Sequence, residues 1–274
     1  SALYFSVSAG LMAQVKLVGV VGKDYPEEGW KILKSRRINV DNVQILPGKT
    51  FRWGGKYNDN YSSRDTLFTD LGVFESFSPN IKQDDCDSSL VFLGNIHPDL
   101  QIQVASMVRA PEHIVSDTMN LWIDLFPHKL NDVLRLSSIF FINHEEAEQF
   151  TGKTNVSSAA KVLLDYGPEV VVIKMGERGS CVSYNNQSVF VPVFPVDRVL
   201  DPTGAGDSFA GGFMGYLSQA KNPDFVTATI TGSAMASFCV EGFGLEALLM
   251  ATPEGLEDRI KIIEDSMSEK MLHR

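Results

Sequence analysis

Only three cysteines occur among the 274 residues, Cys86, Cys181 and Cys239, and no two form a CxxC pair. Neither a disulfide framework nor a structural zinc site is expected from them, and a reducing compartment, the cytoplasm, suits them best. No run approaches the ~18 apolar residues of a membrane helix, and no basic-then-apolar segment opens the sequence as a secretory signal would. Basic side chains are in the minority: 24 Lys and Arg against 34 Asp and Glu leave a net charge of −10. That balance argues against nucleic-acid and anionic-membrane partners, which need a concentrated basic surface. It does not exclude a phosphate ligand, because a single local site holds one. There is no P-loop string and no dinucleotide fingerprint at 19–22, and His144-Glu-Glu-Ala-Glu148 has no second histidine for a zinc-binding helix. Against these absences stands an ordinary apolar content of 44%, enough for a large core.

Five short apolar runs, at 15–21, 90–93, 113–115, 139–142 and 170–173, are rich in β-branched or aromatic residues. Their continuous apolarity predicts strands buried on both faces. Helical spacing fills the intervals at 27–34, 99–108, 131–136, 145–150 and 157–165. Strand alternating with helix predicts a doubly wound α/β fold with a mostly parallel sheet. Four runs lead, within two residues, to a polar residue: Asn95, Asp117, Asn143 and Lys174. The carboxyl ends of such strands form the crevice where ligands bind, so the four mark a site. Residues 50–77 break the rhythm, with Phe51, Trp53, Tyr57, Leu67, Phe68 and Phe74 among glycines and polar residues. They read as a small antiparallel lid inserted into a core of residues 1–49 and 78–274. Two further strands are expected at 180–184 and 188–193, and helices at 207–220, 224–239 and 253–263.

The densest feature is Asp201-Pro-Thr-Gly-Ala-Gly-Asp207-Ser-Phe-Ala-Gly-Gly-Phe213. Gly204 and Gly206 permit a tight turn at a helix start, where exposed N–H groups and the helix dipole favour an anion. Asp207 falls beside that anion, a placement suited to removing a proton from a hydroxyl that attacks a phosphate. The plainer alternative is that Asp207 caps the helix while Gly206, Gly211, Gly212 and Gly215 permit close packing.

This string resembles the C-terminal signature of the ribokinase-like, or PfkB, family of carbohydrate and nucleoside kinases. Asn143-His-Glu-Glu146 resembles the family's Asn-x-x-Glu motif, and Lys174-Met-Gly176-Glu-Arg-Gly179 its phosphate-lining turn. Residues 18–24 resemble its early strand and Gly-x-Asp turn. The resemblance implies ATP-dependent phosphorylation of a hydroxymethyl group, with Asp207 as base and the amides of Gly204, Ala205, Gly206 and Asp207 as anion hole. It implies that Asn143 and Glu146 organise Mg2+, largely through water, and that Lys174, Gly176 and Gly179 line the ATP phosphates. Adenine would lie toward Val193 and a wall containing Ala236, Val240 and Gly244. Asp201 and Thr203 lie where some members hold a monovalent cation such as K+. Chain position assigns Arg52, Asn58, Asp117 and Asn120 to a sugar or nucleoside substrate. Small sheets of this kind often pack on each other in the family, so the lid aromatics are candidates for a homodimer contact, the alternative being that they cover the crevice or one another.

In the family a first strand and a Gly-Gly pair precede the position of Ser1, and these are expected upstream of it. An Asn common after that pair aligns with Tyr4, so the specific substrate stays open. Two other readings share the motifs: a kinase of a pyrimidine or pyridoxal vitamin precursor, and a non-catalytic nucleotide or sugar binder.

Overall fold

Strand and helix alternate along the chain as the apolar periodicity requires. The computed structural model describes residues 1–57 and 64–272. It opens with α1 (Ala2–Ala9), β1 (Lys16–Gly22), α2 (Glu27–Ser35) and β2 (Asn39–Leu46), followed by the hairpin strands β3 (Arg52–Tyr57) and β4 (Arg64–Asp70). The central run is β5 (Leu90–Leu93), α3 (Pro98–Met107), β6 (His113–Asp117), α4 (Asn120–Leu125), α5 (Pro127–Leu136), β7 (Ile139–Asn143), α6 (His144–Thr151), α7 (Val156–Leu164) and β8 (Val170–Lys174). A hairpin of β9 (Ser180–Tyr184) and β10 (Gln187–Val191) leads to α8 (Ala205–Gln219), α9 (Phe225–Val240), α10 (Glu246–Leu249) and α11 (Pro253–Leu272).

Six strands form the main sheet in the order β10-β9-β8-β7-β6-β5. β5 to β8 run parallel, and β9 and β10 pair antiparallel at one side. Residues 139–142 and 170–173 are buried on both faces, which explains their unbroken apolarity. Side-chain alternation sends Phe140, Ile142 and Ile173 toward Leu130, Leu134 and Leu163 of α5 and α7. Ile139, Phe141 and Val172 point the other way, toward Phe209 and Phe213 of α8. The sheet is thus covered by helices on both faces, as expected for a doubly wound fold.

α8 lies between two helices at very short range. A Cβ on Gly211 would meet the Phe5 carbonyl oxygen of α1 at 2.6 Å, and one on Gly212 would meet the Thr231 carbonyl oxygen of α9 at 2.8 Å. The small-residue run therefore does serve packing, on one part of the helix, while the other end opens the turn at Gly204.

Three features depart from the sequence reading. Residues 15–21 form a strand, but it pairs with β2 in a separate two-stranded parallel sheet. α1, β2 and α4 carry too even or too polar a pattern to stand out. The sequence of α1, ALYFSVSA, has no polar stripe and buries Ser6 and Ser8 beside Val7 and Ala9. The last helix runs to Leu272 rather than stopping near Ile263. In the 50–77 segment, β3 and β4 pair antiparallel as anticipated, with a register shift between Gly54 and Gly55.

Candidate active site

The register of the parallel strands brings the polar residues together. Asn143 is paired with Lys174 across β7 and β8, and Asp117 is opposite Phe141 across β6 and β7. Lys174 extends across the intervening strand, with its Nζ 5.8 Å from the centroid of the Phe141 ring, and meets Asp117 Oδ2 at 2.8 Å. The Thr118 amide donates to Asp117 Oδ1 at 3.0 Å. Burial alone lowers the Lys174 ammonium, but Asp117, with Glu146 and Asp207 behind it, outweighs that effect and holds it above its ordinary value. Asn95, the fourth strand-end residue, accepts a hydrogen bond from Trp122 Nε1 at 2.8 Å.

Asn143 and Glu146 close a reciprocal cap on α6. The Glu146 amide donates to Asn143 Oδ1 at 2.8 Å, and the Asn143 amide donates to Glu146 Oε2 at 3.0 Å. This cap holds a largely buried carboxylate at the sheet edge. Among the described residues, no group of three or more His, Cys, Asp or Glu is arranged to hold a metal directly. The pair fits a magnesium ion bound through water and nucleotide phosphates, which is the coordination that ion favours.

Gly204 caps α8 with φ 82°, a left-handed conformation. A Cβ there would also lie 2.3 Å from Cδ1 of Tyr4, so both backbone and neighbour require glycine. The Ala205 amide donates to the Pro202 carbonyl at 3.1 Å, and the Ser208 amide to the Gly204 carbonyl at 2.8 Å. Of the expected anion-hole set, Ala205 is therefore engaged inside the turn. The amides of Gly206 and Asp207 lie in the first helical turn, where intrahelical acceptors run out. The Asp207 side chain is 17% exposed. A methyl on Gly206 would sit 3.4 Å from Lys174 Nζ, so helix start and strand-end ammonium border the same space.

The remaining sequence-derived residues are more dispersed. Asp201 Oδ1 accepts from the Thr203 amide at 2.9 Å, forming a local turn. Behind it, Cys239 donates to the Thr203 carbonyl at 3.4 Å. Burial pushes the Cys239 thiol up to about 11. Gly176 and Gly179 have positive φ around the short turn after β8. On the expected adenine side, Val193 is exposed, Ala236 and Val240 are half-buried, and Gly244 has φ 57°. Arg52 lies exposed on β3 and Asn120 exposed at the start of α4. Asn58 lies outside the described residues. Two open grooves, one of 630 Å³ beside Ile32, Arg36 and Met250 and one of 570 Å³ beside Gly48 and Val73, share no residue with the strand-end cluster.

Two contacts escaped the sequence reading. The Tyr4 ring lies against Gly204, and Arg259 of α11 stacks between Phe194 and Phe238, 4.4 and 3.6 Å from their ring centroids. Arg259 also donates to Ser237 Oγ at 2.7 Å and Glu241 Oε2 at 2.5 Å. An arginine in an amphipathic helix carries no local signal of such a clamp.

The architecture, a mostly parallel sheet between helices with a small antiparallel sheet beside it, is that of the ribokinase-like fold. Solved structures share the fold. One is *Burkholderia thailandensis* nucleoside kinase in complex with inosine, with TM-score 0.80, 18% identity, and coverage of 95% of this chain and 84% of that one. Another is a putative ribokinase II from *E. coli* in complex with ATP and Mg2+, with TM-score 0.80, 19% identity, and coverage of 95% and 87%. The chain belongs to the pfkB family of carbohydrate kinases, whose model matches residues 6–251. Among curated relatives, a deoxyribokinase of *Salmonella typhi* is 35% identical, covering 88% of this chain and 80% of the relative. A cytidine kinase of *Thermococcus kodakarensis* is 29% identical, covering 76% of each. Among the described residues no helix is long and apolar enough to cross a membrane.

Proposed function

We propose that this pfkB-family kinase transfers the γ-phosphoryl group of ATP to a hydroxymethyl group of a nucleoside or sugar. The observation that carries the reading is the partly exposed Asp207 carboxylate in the first turn of α8, one residue after the Gly206 that borders Lys174 and near enough to that ammonium for its charge to be felt there. Asp207 takes the hydroxyl proton while the amides of Gly206 and Asp207 receive negative charge on the phosphoryl oxygens. Magnesium, when bound near Asn143 and Glu146, would neutralise charge on the nucleotide phosphates. Lys174, Gly176 and Gly179 line the phosphates, and adenine lies between Val193 and the wall of Ala236, Val240 and Gly244. A monovalent cation beside Asp201 and Thr203 belongs to the same reading.

In this scheme residues 50–77 are a lid over a core of 1–49 and 78–274, and Arg52 and Asn120 approach the acceptor. The exposed Leu67 and Phe68 of the lid suit contact with a second copy, which sedimentation would report. The relatives named for cytidine, nucleoside and deoxyribose phosphorylation support a nucleoside or pentose acceptor over a vitamin precursor.

The test is ADP release from ATP and Mg2+ across a panel of nucleosides, sugars and vitamin alcohols. A nucleoside or sugar should turn over, and Asp207→Asn should lower that turnover at least ~100-fold by loss of the base, with ATP still bound. Turnover within tenfold of the unaltered enzyme would refute the base, and nucleotide binding without turnover on any acceptor would favour a regulator.

A further inference from the structure

The position of Asp117 at a strand end suggests a ligand for substrate hydroxyls, but its surroundings suggest another role. Both of its oxygens are engaged within the protein, Oδ1 by the Thr118 amide at 3.0 Å and Oδ2 by Lys174 at 2.8 Å. The two charged side chains are 9% and 18% exposed. Burying an ion pair forfeits the hydration of both charges and rarely stabilises a fold better than apolar residues would. This pair also places its ammonium next to Gly206, at the positive end of the α8 dipole. An ammonium held against a helix start is unfavourable alone, and becomes favourable when an anion arrives between them.

We infer that Asp117 is a positioning residue rather than a substrate ligand: it aims the phosphate-lining ammonium of Lys174 at the phosphoryl group being transferred. The inference rests on the kinase reading above and assigns a distinct part of it. An ammonium has three donors; one is spent on Asp117, which fixes the direction of the others. In the transfer, the acceptor oxygen bonds to the γ-phosphorus as the bond from that phosphorus to the bridging oxygen of ADP breaks. The acceptor proton passes to Asp207, the electron pair of the broken bond leaves with ADP, and Lys174 keeps its proton throughout. Asp117 keeps Lys174 from swinging toward Glu146 or Asp207, the other carboxylates whose charge it senses.

The experiment compares binding of ADP with that of the non-hydrolysable imido analogue of ATP, each with Mg2+, by calorimetry on the full chain. Only the analogue carries a γ-phosphate. Lys174→Met should weaken the analogue by about tenfold to a hundredfold, the range for a lost charge-assisted hydrogen bond, while ADP affinity changes little. Asp117→Asn should erode the same selectivity to a smaller extent, and Lys174→Arg should restore part of it. Should Lys174→Met fail to fold with Asp117 left unpaired, the double variant Lys174→Met with Asp117→Asn removes both charges and carries the same expectation. Equal weakening of both nucleotides, or unchanged selectivity in a folded variant, overturns the assignment while leaving the kinase reading intact. So does an Asp117→Asn variant that loses acceptor affinity alone. An unaltered chain that binds neither nucleotide overturns both.

Discussion

Asp24 Oδ1 accepts two hydrogen bonds from Thr50, one from its amide and one from its hydroxyl, each at 2.7 Å. The Thr50 hydroxyl oxygen in turn accepts from the Gly22 amide at 3.0 Å. The contact ties the end of β1 to the entry of the hairpin, and two residues later the chain enters β3.

The pH dependence of that tie follows from its charge. The hydroxyl and then the amide of Thr50 hold the Asp24 carboxyl below its ordinary value of 3.8. A carboxyl lowered in the folded state contributes fully above its unfolded value and loses that contribution as pH falls through the folded one. The fluorescence of Trp53 in β3 should therefore show an acid transition below 3.8 that Asp24→Asn removes. An identical transition in both proteins would place its origin elsewhere.

Gly204→Ala should damage the turn that opens α8. The left-handed φ costs an L side chain about 1–2 kcal/mol, and the Tyr4 ring at 2.3 Å leaves no room for the methyl. A lowered melting temperature together with weakened binding of the ATP analogue is the expected result. Gly152→Ala makes the control, since it too has positive φ but nothing near its missing Cβ; its loss should be confined to stability.

Arg259→Ala removes two ring contacts and the partner of Glu241. The stacking alone is worth about 2 kcal/mol when desolvated, so urea unfolding should register a loss of at least that order. Arg259→Lys should recover little, because an ammonium neither stacks between two rings nor offers a planar fork.

Phe141→Ala should cost about 3–5 kcal/mol. Its ring centroid lies 5.0 Å from that of Phe213 and 5.8 Å from that of Phe209, at the center of the contact between β7 and α8. Chemical denaturation checks the size, and the ATP-analogue titration shows whether losing the ring beneath Lys174 also reaches the site.

Thiol labelling should separate the cysteines. Burial pushes Cys239 up to about 11 and also raises Cys181, so neither forms appreciable thiolate near neutral pH. Mass spectrometry of the native protein after alkylation should find one adduct, on the partly exposed Cys86. Modification of Cys239 before unfolding would mean that the turn at Thr203 opens.

Local chemistry made much of this molecule legible from its sequence. Runs such as Ile139–Phe140–Phe141–Ile142 announce strands covered on both faces, because no solvent-facing polar residue interrupts them. The glycines at 204 and 206 mark a turn that few other residues can make, and the helical spacing at 145–150 sets a helix directly after the strand at 139–142. What the sequence could not disclose depends on contacts between distant segments. Asp117 and Lys174 are separated by a whole strand and four helices, and only the parallel register makes them partners. Tyr4 meets Gly204, and Arg259 meets Phe194, because helices pack closely enough to carry those side chains there. The residue types and the backbone turns followed from sequence, since torsional preference and apolar periodicity act over a few residues. The pairing of charges was decided by the tertiary structure, since Coulomb attraction and burial depend on distances set only once the sheet and its helices have assembled.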